Sequence, residues 1–210
     1  MQKVYIYKMI VDDGGAPCVR DGILSLAICK PAIRSVARRG SILLGFAGKG
    51  LYADNCLVYA AKVSEHLDAR EYFLEPRYAT RPDCIYRWDG RGFEWKNGSK
   101  FHSSASLLRD LGEAPEYSRA NVLLSEGTEN FRYFREKCPI RYKKEYPHLK
   151  SLVEDLGQGH RVNFEPNLLA ELRRFIPRVW DASSAYRETP IADAGCEHKC
   201  GDDDFADVEC

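Results

Sequence analysis

The sequence predicts an α+β fold with a small, barrel-like mixed β core, on three observations. Three apolar runs, Ile23–Cys29, Ile42–Phe46 and Leu57–Val63, are each of strand length. Pro31–Arg39 falls between the first two and reads as a short helix. Strands outnumber helices as far as Phe134 and do not alternate regularly with long helices, which argues against a doubly wound sheet.

Val4–Val11 alternates as a first strand, with Tyr5 and Tyr7 on one face and Val4 and Ile6 on the other. Asp12-Asp13-Gly14-Gly15-Ala16-Pro17-Cys18 is a turn-rich loop leading into Ile23–Cys29. Pro31 suits a first helical turn, where its missing N–H has no intrahelical partner. Ile33, Val36 and Ala37 share one face of that helix, and Gly40 stops it. Asp68 caps a short helix through Phe73, and Pro76 to Pro82 is irregular. Asp83–Trp88 begins a hairpin that turns at Asp89-Gly90-Arg91-Gly92 into Phe93–Trp95. Ser103 or Ser104 caps a helix to Leu111, ended by Gly112. Asn121–Ser125 and Phe131–Phe134 are short strands. Beyond Cys138 the chain turns helical, with His148–Leu156 and an amphipathic Pro166–Phe175 that carries Leu168, Leu169, Leu172 and Phe175 on its apolar face. The expected organisation is a base domain over 1–137, a helical extension over 138–181 and a flexible acidic tail over 182–210.

Lys and Arg total 31, equal to Asp and Glu, so no global excess of positive charge attracts a polyanion. The acids Asp193, Glu197, Asp202, Asp203, Asp204, Asp207 and Glu209 crowd the end of the chain, which leaves the body before them net positive. No apolar run approaches the roughly 20 residues of a membrane helix, and MQKVYIYK has no signal-peptide core. A cytoplasmic protein without a membrane partner is the expectation. The eight irregularly spaced cysteines then read as buried small hydrophobes, not a disulfide framework.

Asp13…Ala16-Pro17, Leu26-Ala27-Ile28-Cys29-Lys30-Pro31-Ala32-Ile33-Arg34, Gly40-Ser41 and Gly45 resemble the nucleotide-modification-associated domain family of the second type. Leu57–Val63, Tyr72, Asp83–Tyr86, His102, Asp110-Leu111, Val122–Ser125 and Phe131–Phe134 follow in the order that family uses, so the resemblance spans Val4 to Phe134. The family often has an aspartate where Ser41 stands here. The resemblance implies association with bacterial or phage systems that modify nucleic-acid bases, including phage defence. The core is also similar to the PUA-like group of ASCH, EVE and YTH modules, which implies a pocket for a modified base at the mouth of a small barrel.

Candidate chemistry gathers at a few positions, each with a plainer alternative. Lys30 and Arg34 lie one helical turn apart at a helix start, suited to a phosphate, or they form a solvated basic first turn. Lys30 is alternatively a desolvated base, as in PUA-like amidohydrolases. Tyr86 and Trp88 are the aromatic candidates for stacking a base, whereas Tyr5, Tyr7, Tyr59 and Trp95 read more readily as core. Asp13 and Asp83 would read the donor edge of a base. His102 is a general acid or base, or a structural histidine before a helix. Cys18 or Cys29 paired with His102 would make a nucleophile, but neither stands in a known nucleophile motif, and buried thiols are the plainer reading. Cys196-Glu197-His198-Lys199-Cys200 has metal-ligand residue types at a spacing tighter than ordinary zinc sites. GFAGKG at Gly45–Gly50 lacks the Ser/Thr of a phosphate-binding loop.

The expected function is recognition of a modified base or nucleotide, with Lys30 and Arg34 on phosphate or a polar edge, Tyr86 and Trp88 stacking, and Asp13 and Asp83 reading the edge. The alternatives are an enzyme that hydrolyses or transfers a group on a modified base, with Lys30 or His102 moving the proton, and an interaction module for an operon-encoded protein. No cofactor or metal is expected. The nucleic-acid partner would be a polymer or nucleotide carrying the modified base.

Overall fold

The computed structural model describes residues 3–183. In chain order these form β1 (Val4–Met9), β2 (Cys18–Arg20), β3 (Ile23–Leu26), α1 (Pro31–Val36), β4 (Ile42–Ala47), β5 (Leu57–Lys62), β6 (Glu65–Asp68) and α2 (Ala69–Leu74). There follow β7 (Tyr86–Trp88), β8 (Phe93–Trp95), α3 (Leu107–Leu111), β9 (Asn121–Glu126) and β10 (Phe131–Tyr133). The remainder is α4 (Tyr142–Glu145), α5 (Pro147–Asp155), β11 (His160–Arg161) and α6 (Pro166–Asp181).

The α+β class holds, and among the described residues no closed barrel forms. The strands divide into a five-stranded sheet, β10-β5-β4-β1-β11, a four-stranded sheet, β2-β3-β9-β6, and the separate β7-β8 ribbon. β1 and β4 run parallel, Val4 opposite Ile42, while every other pair is antiparallel. The three apolar runs of the core therefore do not share one sheet. The first, as β3, pairs with β2 and β9, and the other two, as β4 and β5, pair with each other. The chain passes between the sheets after β5, where the Ser64 N–H donates to Leu124 O at 2.8 Å, and again between β9 and β10.

Alternation along β1 places its side chains in two cores, as its sequence requires. Val4 and Ile6 face the helical layer, where Ile42, Leu44 and Phe46 of β4 meet Tyr142, Leu149, Leu172, Phe175 and Val179. Tyr5 and Tyr7 face the other way, into a core closed by Leu24, Leu26, Ile33, Ala37 and Tyr59. A third core lies beyond the four-stranded sheet, between Val122 and Leu124 on one side and Tyr72, Phe73, Tyr86, Phe93 and Phe101 on the other. The order of layers is α4–α6, large sheet, small sheet with α1, then α2, the ribbon and α3.

α1 is shorter than the sequence suggests. Ala37 leaves the helix at ψ 146° while its N–H still donates to Ile33 O. Ser41 Oγ then accepts the Arg38 N–H at 3.1 Å, which pins the turn. Ile33 and Ala37 are buried as expected, but Val36, past the last buried face, is 48% exposed. α6 instead runs six residues beyond Phe175, because Val179 continues the buried stripe. No helix among the described residues is long and apolar enough to cross a membrane. The acidic tail and its Cys/His group, expected over 182–210, lie outside the described residues from position 184 onward.

Candidate functional site

The third core contains a thiol, an imidazole and a carboxylate in line. Cys29 Sγ lies 3.2 Å from His102 Nε2, and His102 Nδ1 lies 2.5 Å from Asp110 Oδ2. The His102 and Asp110 side chains are fully enclosed, and Cys29 is buried. The three groups come from three segments: the loop between β3 and α1, the loop after the β7–β8 ribbon, and α3.

Each segment is held by its own interactions. Cys29 and Lys30 both adopt left-handed backbone conformations, φ 55° and 44°. Non-glycine residues there are strained by about 1–3 kcal/mol each, so the surroundings must impose the shape. Arg34, completely buried, does so. Its Nε donates to Cys29 O at 2.7 Å, and its Nη2 donates to Asp110 O at 2.6 Å. Its Nη1 donates to Arg119 O at 3.1 Å and also to Asn121 O. One guanidinium thus ties the Cys29 loop to α3 and to the start of β9. The Asp110 carboxylate makes a second tie, because Oδ1 accepts the Cys29 N–H at 3.2 Å. His102 is also left-handed at φ 57°, and the preceding Phe101 carbonyl accepts from Trp95 Nε1 at 3.5 Å. The Phe101 ring packs so closely on Gly15 that a Cβ there would stand 3.0 Å from it. Gly15 thus lets the loop lie close on Phe101, and Gly14 beside it takes a positive φ of 97° that glycine adopts most readily.

The electrostatics keep Asp110 ionised. Burial alone would raise its pKa, but the hydrogen bond and charge of His102, the Arg34 guanidinium and the Tyr86 hydroxyl together hold it below the usual carboxylate value. Tyr86 OH donates to Asp110 Oδ2 at 2.8 Å. Burial first, and the Asp110 charge second, push the Tyr86 phenol well up, so it stays protonated and serves only as donor. An ionised Asp110 beside Nδ1 fixes the tautomer with a proton on Nδ1 and turns the Nε2 lone pair toward Cys29 Sγ.

Lys30 follows the thiol directly. Its Nζ lies 5.5 Å from the Tyr7 ring centroid, and Tyr7 OH is 2.5 Å from Tyr59 OH. Burial, then the charge and hydrogen bond of Tyr59, push the Tyr7 phenol far up.

The other residues singled out from sequence sit elsewhere or hold the frame. Arg34 has its donors on main-chain carbonyls inside the molecule, and Tyr86 is fully buried on Asp110. Asp83 is also fully enclosed. It accepts from Ser25 Oγ at 2.5 Å and Tyr72 OH at 2.8 Å, with Arg81 Nε at 3.6 Å, and so shares no partner with Lys30. Trp88 is half-buried against Phe93 and Tyr117, with the Arg70 guanidinium 5.5 Å over its ring. Asp13 Oδ1 accepts the Gly15 N–H at 3.1 Å and shapes the loop over Phe101. Cys18 is buried in β2, and burial, followed by the Asp83 charge, pushes its thiol up. Of the sequence candidates, the structure brings Cys29 and His102 together, with Lys30 next in the chain.

Asp110 was missing from the candidates, although it stands eight positions after His102 in a helix ended by a left-handed Gly112. Among the described residues no group of three or more His, Cys, Asp and Glu side chains is arranged to hold a metal ion.

No curated protein and no solved structure matches the chain. The family model described as nucleotide modification associated domain 2 matches residues 1–194. That match reaches beyond Phe134 to take in α4–α6, which pack in one core with β1, β4 and β5. The chain belongs to the nucleotide modification associated domain 2 family.

Proposed function

We propose that this protein is a thiol-dependent enzyme that transfers or hydrolyses an acyl-type group on a base or nucleotide during nucleic-acid modification. The observation that carries the proposal is the line Cys29 Sγ–His102 Nε2–Nδ1–Asp110 Oδ2, with separations of 3.2 and 2.5 Å. The family's description supplies the substrate class. His102 Nε2 takes the proton from Sγ, and Asp110 orients the imidazole and stabilises its charged form. The sulfur forms a bond to the electrophilic carbon, the bond from that carbon to its leaving group breaks, and His102 returns the proton to the leaving atom. Water or an amine then adds to the same carbon with His102 as base, and the C–S bond breaks to restore the thiol.

The backbone supports this direction of attack. The Cys29 carbonyl points at Arg34, so the trans peptide aims the Lys30 N–H to the opposite side. An N–H on the residue after the nucleophile is a suitable donor to a developing oxyanion. Lys30 Nζ, on the Tyr7 ring, adds a positive charge for a phosphate or carboxylate of the substrate. Recognition of the base itself rests on Lys30 and the Asp13 loop in this reading, with Asp83, Tyr86 and Arg34 as framework.

The test is product analysis by mass spectrometry on a panel of modified nucleotides and oligonucleotides, with intact-protein mass to detect an adduct on Cys29. The wild type is expected to form product, Cys29→Ala none, and His102→Ala and Asp110→Asn at least tenfold less. Product formation by Cys29→Ala at the wild-type rate would overturn the proposal. So would a Cys29 alkylation rate with iodoacetamide that neither His102→Ala nor Asp110→Asn changes.

A further inference from the structure

We infer that the end of the large sheet where β1 and β4 begin is a docking edge for a nucleic-acid backbone, so that the thiol site works on a strand and not on a free nucleotide. The inference rests on the thiol reading for what happens at the site, but the edge itself is argued from different residues. The sheet register assembles it. Val4 pairs with Ile42 and Ile42 with Lys62, which places Lys3, Ser41 and Lys62 at one end. The turn after α1 is pinned to the same place, because Ile42 N–H donates to Lys3 O at 2.8 Å and Gly40 N–H to Val63 O at 2.8 Å. Arg38 and Arg39 sit on that turn.

Lys3, Arg38, Arg39 and Lys62 are all exposed. None of the four has a carboxylate within ion-pair distance among the described residues. Several cations elsewhere on the surface are matched, Arg70 with Asp68, Arg77 with Glu126, Arg87 with Glu94, Lys143 with Glu154 and Arg178 with Glu145. Others, Lys49, Arg91, Lys100 and Lys144 among them, have no carboxylate within ion-pair distance among the described residues. In the neighbouring hairpin, Glu129 accepts from Asn130 Nδ2 at 3.2 Å. Arg38 uses Nη1 on the Ser35 and Ala37 carbonyls and is exposed as a residue. In a chain of zero net charge, four unmatched cations in one place form a local positive field that attracts a polyanion.

α1 connects this edge to the thiol. Tyr7, under Lys30, and Tyr5, whose OH donates to Val36 O at 3.3 Å, place α1 antiparallel to β1. Lys30 therefore stands at one end of α1 and Arg38 and Arg39 at the other. Six helical residues span about 9 Å, and a stacked strand carries a phosphate about every 3.4 Å. The separation suits a strand that lays two or three nucleotides along α1, with one at Lys30 and Cys29 and its neighbours on the basic edge.

The experiment is fluorescence anisotropy with a labelled 20-nucleotide single strand, as DNA and as RNA, and its duplex, each over a range of KCl. With single-strand counterion release of about 0.7 per phosphate, four or five contacts give a log–log salt slope of about −3. The triple variant Arg38→Ala/Arg39→Ala/Lys62→Ala should bind at least tenfold more weakly, with a slope shallower by about 2. Arg91→Ala, on the separate ribbon, should bind as the wild type does, and a urea midpoint for the triple variant checks its folding. Unchanged binding by the folded triple variant, or product formed as fast from a mononucleotide as from a strand, would overturn the inference. The two readings fail separately. Product from Cys29→Ala removes the thiol chemistry and leaves the edge, whereas strand binding that ignores the triple variant removes the edge and leaves the thiol.

Discussion

Replacing Arg34 by Met tests whether the cation after the thiol faces a ligand or holds the frame. Met keeps much of the volume and removes the charge and every donor. The Cys29, Asp110, Arg119 and Asn121 carbonyls would lose their Arg34 hydrogen bonds. Asp110 would also lose a charge that keeps it ionised. Hydrogen bonds to a charged group contribute about 1.5–3 kcal/mol each, a gross loss of about 6–12 kcal/mol for four. Removing the cation also relieves the desolvation of burying it, which returns several kcal/mol, so the net cost lands near the 3–5 kcal/mol seen when one partner of a buried charged set is removed. Burial lowers the Arg34 pKa, with the Asp110 charge opposing it, which is the signature of that desolvation. A loss of about 4 kcal/mol is a large fraction of the 5–15 kcal/mol that holds a domain folded. With a urea m-value of about 3 kcal/mol/M, the unfolding midpoint should fall by about 1.3 M. Fluorescence of Trp88, Trp95 and Trp180 reports the transition. A midpoint shift below about 0.3 M at unchanged m would refute the bracket and return Arg34 to the phosphate-binding role its sequence position suggests.

Glu171 gives a pH-dependent prediction. Its carboxylate, from α6, accepts the backbone N–H groups of His148 and Leu149 in the first turn of α5, and His148 Nδ1 at 2.7 Å. Burial raises its pKa, but the His148 ring and the two N–H groups outweigh burial and hold it below the usual glutamate value. A depressed folded pKa means that this contribution is complete above the unfolded value of about 4.3 and is lost as pH falls below it. Glu171→Gln should cost about 1 kcal/mol at pH 7, as loss of a helix cap does, and the gap to wild type should close between pH 5 and pH 3; a gap that stays constant in thermal melts would refute the cap. Tyr86→Phe removes one donor to Asp110 Oδ2 and leaves the His102 contact. It should cost about 1 kcal/mol of stability and slow Cys29 alkylation far less than Asp110→Asn does; equal effects would make Tyr86 as necessary to the site as the Asp110 carboxylate.

The pattern of apolar runs carried most of the strands, because alternation and burial act over neighbours in sequence. β1 reads directly from Val4, Tyr5, Ile6 and Tyr7, and both of its faces are occupied as that alternation demands. Sheet membership did not read out, since the pairing of β3 with β9 joins Ile23 to Glu126 and no local signal specifies that partner. The same limit governs the site. Cys29 and His102 were both visible as residue types, but their meeting is set by Arg34, whose partners lie 5, 76, 85 and 87 positions away. An arginine in a first helical turn looks solvated when only its neighbours are known. Tyr86 and Asp83 misled for the complementary reason: polar atoms at hairpin starts suggest exposure, yet both are buried with their hydrogen bonds satisfied internally.

Asp83 and Asp110 form two buried acidic centres built from similar parts, and comparing them shows why only one suits catalysis. Each carboxylate is enclosed, accepts from a tyrosine hydroxyl and has a buried arginine nearby. At Asp83 the hydroxyl that approaches is Ser25, which donates straight to the carboxylate, also accepts from Arg81 Nη2 at 2.7 Å and is itself fully buried. No imidazole stands between the acid and that hydroxyl, and a substrate would have to open two strands to reach it. At Asp110 an imidazole is interposed and its outer nitrogen faces a sulfur. A carboxylate that orients a base can raise the reactivity of a nucleophile at neutral pH, while one bonded directly to an enclosed hydroxyl only fixes its position. Ser25→Ala should therefore lower stability, with Asp83 left short of a donor, and leave the Cys29 alkylation rate within about twofold of wild type. A Ser25→Ala variant that folds normally but loses Cys29 reactivity would show that the two centres are coupled across β3, and the separation drawn between scaffold and site would fall.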